Sequence, residues 1–311
     1  MYNDMKITVI GYKNHALRLK SCLNNQGIQN VVNFNYHKDN FTNISDSDAF
    51  FIASPASNHF EWINKLTPLG KYIFCEKPPV IDKKDLDTLV EYRPKLFFNF
   101  NYRFSYLVKL IKKYHNSKEL GEIINVHCVS SHGLAFKSSF EDDWRFKDNN
   151  FFSSIVGNVG IHYVDLMLYL LGSIKSVNMD HLFITSKKLP DTCKLNLVFK
   201  KTFVDIFLSY STVLQNKIDI FYENGILTLS NGLISLISPR DTFDDKGYFK
   251  TPETQILKRF INSRDYYTDS INESVKYFLS CVKSKTNLSL KHYDQSIISN
   301  KVMLGLMEKS I

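Results

Sequence analysis

A lysine held between a carboxylate and a proline, in the run Phe74-Cys75-Glu76-Lys77-Pro78-Pro79, is where the residue types of this 311-residue chain first suggest chemistry. Proline fixes its own φ and disfavours helix in the residue before it, so Lys77 sits at a defined bend. A lysine so held in a partly dry pocket can have its pKa lowered enough to exchange protons near neutrality. The same six residues also read as a solvated surface turn. A second titratable group lies far downstream, in Gly160-Ile161-His162-Tyr163-Val164-Asp165. His162 and Asp165 are three apart at the start of an expected helix that runs to Leu171 and stops at Gly172. Leu166, Leu168, Tyr169 and Leu171 give that helix a buried surface, beside which a histidine serves structure as readily as catalysis.

The elements that must position these groups alternate in the first third of the chain. Lys6 to Ile10 is a buried-strand run ending at Gly11, followed by helical spacing from His15 to Asn25. Strands are expected at Val31 to Phe34, Ala49 to Ala53, Lys71 to Cys75 and Leu96 to Phe100, with helices at Phe60 to Leu66 and Asp82 to Val90. Asp82 is the expected N-cap of the latter. Strands separated by helices imply a doubly wound parallel sheet that binds ligands outside the strands' C-terminal ends. Gly11, Ser54-Pro55, Lys77 and Asn101 each fall just after such a strand, which places them on one rim.

Five segments in order resemble the Gfo/Idh/MocA family, the glucose–fructose oxidoreductase and inositol dehydrogenase group. Ile7 to Gly11 looks like its first strand and phosphate turn, and Ala53-Ser54-Pro55 with His59 is similar to its A-[ST]-P-x-x-x-H segment. Glu76-Lys77-Pro78 matches E-K-P, and Asn101-Tyr102-Arg103-Phe104 matches N-x-R-F. Asn158 to Asp165 matches D-x-G-x-H-x-x-D except that an amide replaces the first acid. The resemblance implies a Rossmann-type doubly wound parallel sheet plus an α+β domain with a mainly antiparallel sheet. It implies Lys77 and His162 as catalytic residues, with Asn158 beside them as a substrate contact. An amide orients a hydroxyl or ring nitrogen but takes no proton, so acid–base work falls to Lys77 and His162. Asn101, Arg103, Trp144 and Arg145 complete the expected substrate contacts. Arg103 has a second reading, in which it pairs with Glu76 to hold the lysine loop. Trp144 and Arg145 lie in an expected loop, where surface decoration is the alternative.

The expected cofactor is NAD or NADP, held by Gly11, Tyr12, Lys13, Asn14, Ala16, Ser54, Pro55, His59, Glu76 and Lys77. Two features depart from a dinucleotide fingerprint. Lys13 stands where G-x-G-x-x-G/A has its second glycine, and no acid closes the second strand. Asn33, Asn35, Tyr36, His37 and Lys38 occupy that neighbourhood, and Asp39 comes late. Strict NAD preference is therefore unsupported, whereas His37 and Lys38 tolerate a 2′-phosphate.

Beyond Gly121 the rhythm changes to consecutive strands. They are expected at Ile123 to Ser130, Ile174 to Ile184, Lys194 to Phe199, Phe203 to Tyr210, Lys217 to Tyr222, Ile226 to Leu229 and Leu233 to Ile237. Glu223-Asn224-Gly225 marks a hairpin, and Thr242 to Gln255 reads as a polar surface loop. Helices at Ser270 to Lys283 and Tyr293 to Glu308 end the pattern. The domains expected from this shift are 1–120, binding the dinucleotide, and 121–311, binding substrate and mediating assembly. Phe199, Phe203, Phe207, Tyr210, Phe221 and Tyr222 are expected on a sheet face covered by a second copy, giving a homodimer or homotetramer.

Composition agrees with a globular chain: 44% hydrophobic and 23% charged residues. The net charge of +8 is carried by dispersed pairs such as Lys112-Lys113 and Lys200-Lys201, not by one basic stripe, so no nucleic-acid partner is expected. No stretch approaches the ~20 apolar residues that span a bilayer, and the N-terminus lacks a signal-peptide core. Five scattered cysteines without a C-x-x-C pair suit a reducing cytoplasm. His127 and His132 are five apart on an expected strand and face opposite sides, so no metal site is expected. The reading is an oxidoreductase acting on a hydroxyl or keto carbon of a sugar or nucleotide-linked sugar. The alternative, favoured by Lys13 and Asn158, is a family member that binds a ligand or partner without turnover.

Overall fold

Ile7-Thr8-Val9-Ile10 is wholly buried, as a strand covered on both faces must be, and it forms β1 in the interior of a parallel sheet. The computed structural model describes residues 5–89, 93–138, 140, 151–185 and 190–308. The chain divides into two compact units, 1–101 with 270–311, and 102–269.

In the first unit β1 is followed by α1 (Asn14–Asn25), β2 (Val31–Phe34), β3 (Ala49–Ile52), α2 (His59–Leu66), β4 (Tyr72–Glu76), α3 (Lys83–Leu89) and β5 (Leu96–Asn99). The strand order is β2-β1-β3-β4-β5, all parallel. Ile10, Ile52, Cys75 and Phe98 are in register across four strands, so Gly11, Ala53, Glu76 and Asn99 follow in line at the C-terminal rim. Asp82 accepts from the Lys84 amide at 2.9 Å, closing the start of α3.

Residues 270–311 return to this sheet. Phe278, fully buried, packs its ring 5.2 Å from Phe51, 5.4 Å from Phe74 and 6.0 Å from Phe97. It belongs to the long α6 (Ser263–Ser284), which crosses the unit boundary, and α7 (Leu290–Glu308) follows. The boundary expected at residue 120 is corrected accordingly. An amphipathic helix pattern names a buried face but not the sheet it covers, so the C-terminal helices were assigned to the wrong unit.

The second unit contains α4 (Tyr106–Ser117), β6 (Ile123–Ser131), α5 (Ile161–Leu171) and β7 to β13 (Ser176–Leu182, Thr192–Val198, Phe203–Ser209, Gln215–Tyr222, Gly225–Ser230, Leu233–Ile237, Thr254–Arg259). Its eight strands run β13-β12-β11-β10-β6-β9-β8-β7, antiparallel except for β6 with β9. Tyr222 pairs with Gly225, so Glu223-Asn224 is the two-residue hairpin turn. Thr254–Arg259 adds an edge strand where a loop was expected to continue through Gln255. It is polar and mostly exposed, so it shows no alternation to read.

The expected aromatic face is also corrected. Alternation along β9 buries Val204, Ile206 and Leu208 and turns Phe203 and Phe207 outward. Phe199, Tyr210 and Tyr222 are buried, which leaves Phe203, Phe207 and the half-buried Phe221 of the original six.

Candidate functional site

The first unit places a phosphate-sized turn, a lysine loop and the ties between them on one rim. Gly11 has φ +143°, and a Cβ on it would lie 2.9 Å from the Ala53 carbonyl oxygen and 3.2 Å from Ala16 Cβ. Only glycine lets the β1–α1 turn approach β3 this closely. The turn fits the diphosphate of a dinucleotide, because residues 12–14 at the start of α1 are exposed and the first amides of that helix lack helical partners. Lys13 is extended (φ −93°, ψ −176°) and exposed, so its backbone needs no glycine. Tyr12 and Asn14 beside it are exposed, and Ala16 is buried.

The lysine loop is anchored from below. Glu76 is buried, and its Oε1 lies 2.8 Å from His15 Nε2 and accepts from Asn99 Nδ2 at 2.8 Å. Asn99 Oδ1 in turn accepts from the Ser274 hydroxyl at 2.8 Å. Burial alone would raise the Glu76 pKa, but the His15 imidazole, the hydrogen bonds from His15 and Asn99, and the Lys77 charge outweigh it and hold the carboxyl at about 2. The sheet therefore keeps a fixed negative charge directly before the half-buried Lys77.

The next peptide bond, Lys77-Pro78, is cis. His59 lies beneath it, 1% exposed, with Nδ1 2.7 Å from the Pro78 carbonyl oxygen and Nε2 3.1 Å from that of Ser54. Burial pushes its pKa down, against the upward pull of those two carbonyls. The ring lies between two main-chain oxygens and in its neutral form donates to one of them, so His59 packs the Ser54-Pro55 loop against the lysine loop. This replaces the expectation that its side chain meets a cofactor. Ser54 is buried and Pro55 exposed. Asn101, two residues after the β5 rim position Asn99, donates to the Ser270 hydroxyl at 2.6 Å and is itself buried.

Glu76 carries a pH dependence. Its folded pKa lies below the unfolded value, so its contribution is present above about pH 4.5 and is lost as pH falls toward 2. A drop of that size corresponds to roughly 3 kcal/mol at neutral pH. Glu76→Gln is expected to flatten the acid limb of the stability curve measured by urea unfolding between those pH values. An unchanged acid limb would mean the carboxylate is not the group that titrates.

The second unit arranges the histidine helix. A π-helical turn, Val156–Gly160, runs straight into α5, putting Asn158 and His162 one turn apart on one continuous helical run. Gly160 permits the close approach of that run to the sheet, since a Cβ there would lie 2.9 Å from Leu208 Cδ1. His162 is buried, with its ring 5.1 Å from that of Tyr102 and edge-on to Tyr267 at 6.2 Å. Asn158 Nδ2 donates to the Tyr210 hydroxyl at 3.2 Å. Asp165 receives Arg103 in a two-pronged pair, Nε to Oδ2 at 2.9 Å and Nη2 to Oδ1, with both side chains 1% exposed.

The reading that pairs Arg103 with Glu76 is therefore corrected. Each has another partner, Asp165 for the arginine and His15 with Asn99 for the glutamate. Arg103 is buried by this pair, which gives it a structural role within the second unit. Trp144 and Arg145 lie outside the described residues. The sequence reading missed His15, Asn99, Tyr102 and Tyr210. His15 sits inside the G-x-x-x-x-A turn that drew attention to its neighbours, but no local signal reveals a partner 61 residues away. Among the described residues no cluster of three metal-ligating side chains occurs.

Residues 3–96 match the model of an oxidoreductase family with an NAD-binding Rossmann fold, and residues 108–228 match the GFO/IDH/MocA C-terminal domain. A glucose-6-phosphate 3-dehydrogenase of Bacillus subtilis is 31% identical over 137 residues, 42% of this chain and 38% of that enzyme. A myo-inositol 2-dehydrogenase of Thermotoga maritima is 24% identical over 250 residues, 76% of this chain and 70% of that one. The chain thus spans well under half of the first of these relatives and about two thirds of the second. Among solved structures, myo-inositol 2-dehydrogenase from Lactobacillus plantarum superposes with a TM-score of 0.74 at 18% identity, over 96% of this chain and 95% of the other. At that identity the likeness is one of fold.

Proposed function

Because the chain belongs to the GFO/IDH/MocA oxidoreductase family, we propose that it is an NAD(P)-dependent dehydrogenase acting on a carbohydrate hydroxyl. The observation that carries this reading is the rim of the first unit. A glycine-cradled turn after β1 and a lysine after β4, anchored by a buried carboxylate, end two parallel strands that β3 joins in register. Gly11 to Ala16 would hold the diphosphate through main-chain amides, with Lys13 adding charge.

When bound, a nicotinamide dinucleotide supplies the acceptor for the hydride that leaves the carbinol carbon as its C–O bond becomes C=O. Lys77 and His162 are the chain's groups for the accompanying hydroxyl proton. Each can take it in oxidation and return it in reduction. Asn158, fixed against Tyr210, orients an oxygen without exchanging a proton. Asn101, Arg103, Trp144 and Arg145 remain the proposed substrate contacts, with Arg103 held in place by Asp165.

The names of the relatives, a glucose-6-phosphate 3-dehydrogenase and a myo-inositol 2-dehydrogenase, support a sugar or related polyol as substrate. A panel of sugars, sugar phosphates, polyols and nucleotide-linked sugars, each with NAD+ and NADP+, tests the reading through the absorbance of the reduced cofactor. Reduction with one member of the panel supports it. Binding of a dinucleotide without turnover in either direction would favour a ligand-binding protein that has lost catalysis.

The outer face of the eight-stranded sheet suits a second copy of the chain. Phe203, 62% exposed, and Phe207 stand there beside the polar pairs His127–Asp205 and Lys217–Asp219. We expect a dimer or tetramer by light scattering at micromolar concentration, and Phe203→Asp with Phe207→Asp should shift it toward monomer. A monomeric mass for the unmodified chain would end this reading. Among the described residues no helix is long and apolar enough to cross a membrane. All five cysteines are unpaired and buried, which supports a reducing compartment such as the cytoplasm.

A further inference from the structure

We infer, on the proposed reading of the first unit as a dinucleotide site, that this chain prefers NADP(H) over NAD(H), and that Lys38 with His37 determines the choice. A site that selects the unphosphorylated ribose places a carboxylate at the end of the second strand. That carboxylate accepts from the 2′-hydroxyl and repels a 2′-phosphate, whereas a cation there does the opposite.

The structure shows which residues occupy this place. Phe34, the last residue of β2, is in register with Ile10, so the residues after it stand beside the Gly11 turn. Asn33 Nδ2 donates to the Gly11 carbonyl at 3.3 Å, stitching the two loops together. The Tyr12 ring lies 5.9 Å from Tyr36 and 6.2 Å from His37. Residues 35–39 and the proposed diphosphate turn therefore form one continuous surface, framed by aromatic rings against which an adenine can stack.

The only acid of that surface is already committed. Asp39 Oδ2 accepts from the Asn35 amide at 2.7 Å, while the Lys38 and Asp39 amides both donate to the Asn35 carbonyl at 2.9 and 2.8 Å. Asn35 Oδ1 accepts from the His37 amide at 3.1 Å. The carboxylate thus closes a tight turn on its own backbone, and the first position after β2 is a neutral amide. His37 and Lys38 are exposed on the same turn, and Lys13 is exposed on the neighbouring one. Against the exposed carboxylate of Asp39, whose Oδ2 is turned onto the Asn35 amide, the two turns present Lys38, Lys13 and the His37 ring, so the balance offered to a 2′-phosphate is positive.

Isothermal titration of the full chain with NADP+ and with NAD+ tests the inference without any substrate. NADP+ is expected to bind at least about tenfold more tightly, with a steeper loss of affinity as salt is raised. Lys38→Glu should remove most of that advantage while leaving NAD+ affinity within about twofold, because the 2′-phosphate is what the two cofactors differ by. Asn35→Asp should move the preference toward NAD+ by supplying the missing acceptor. Equal or tighter binding of NAD+ by the unmodified chain overturns the inference and leaves the dinucleotide reading intact. An unchanged ratio in Lys38→Glu overturns the assignment to Lys38. Failure of both dinucleotides to bind removes the underlying reading, and the inference with it.

Discussion

Replacing Lys77 by methionine is expected to lower turnover by about 10²–10⁴-fold, the usual cost of a positioned acid–base group. The melting temperature should move by no more than about 2 °C, as for a side chain outside the core. The two expectations separate because the loop is built by other atoms. Its backbone is tied by His59 to the Pro78 carbonyl and by Asn300, whose Oδ1 accepts from the Val80 amide at 3.2 Å. The carboxylate before it is held by His15 and Asn99, with Lys77 the smallest of the influences on its acidity. The measurement is kcat with the substrate found in the panel, alongside thermal unfolding of both proteins. Full activity in the variant would remove the lysine from the proton path and leave Glu76-Lys77-Pro78 as a structural turn.

A second large effect is expected at the opposite kind of residue, a buried one. Asp165→Asn takes the carboxylate charge from the buried Arg103 guanidinium and should cost about 3–5 kcal/mol. For a unit of this size that is a fall of roughly 10 °C in melting temperature. Arg103→Met takes the guanidinium from the buried carboxylate and should cost a similar amount, about 3–5 kcal/mol. The double replacement Arg103→Met with Asp165→Leu should recover part of the loss, because the interior then holds neither charge of the pair. Denaturant unfolding of the four proteins closes the cycle. Single variants that lose less than about 1 kcal/mol would show that water reaches the pair.

The sequence carried the layered part of the fold well, because burial on both faces leaves unbroken apolar runs such as Ala49-Phe50-Phe51-Ile52. The stops were equally legible. Gly172, at φ +85°, ends α5 where a left-handed residue was expected, and Glu223-Asn224 turns the hairpin. Partnerships across the chain were not. Arg103 follows Asn101 closely and Glu76 by 27 residues, yet it pairs with Asp165, because a buried guanidinium needs a carboxylate in the same interior and spacing does not disclose one. Tyr210 is another instance. Counted with the outward aromatics of β9, it is buried one step past the strand end and receives the Asn158 amide. His59 shows the same limit from the other side: its motif position was recognised, but one of its two carbonyl partners lies on a loop nineteen residues away.

The split composition of the first unit has a consequence for how the protein is made. On the ribosome all five parallel strands emerge before residue 102, but the face formed by Phe51, Phe74 and Phe97 has no Phe278 to cover it until α6 appears. At ~5–20 residues per second, that wait is roughly 10–30 s. The unit 102–269 is contiguous and is synthesised entirely within the interval. Each nascent chain therefore carries an uncapped phenylalanine stripe while its later half is being folded. The demand for chaperone binding falls on the N-terminal sheet and ends only when the last helices leave the exit tunnel.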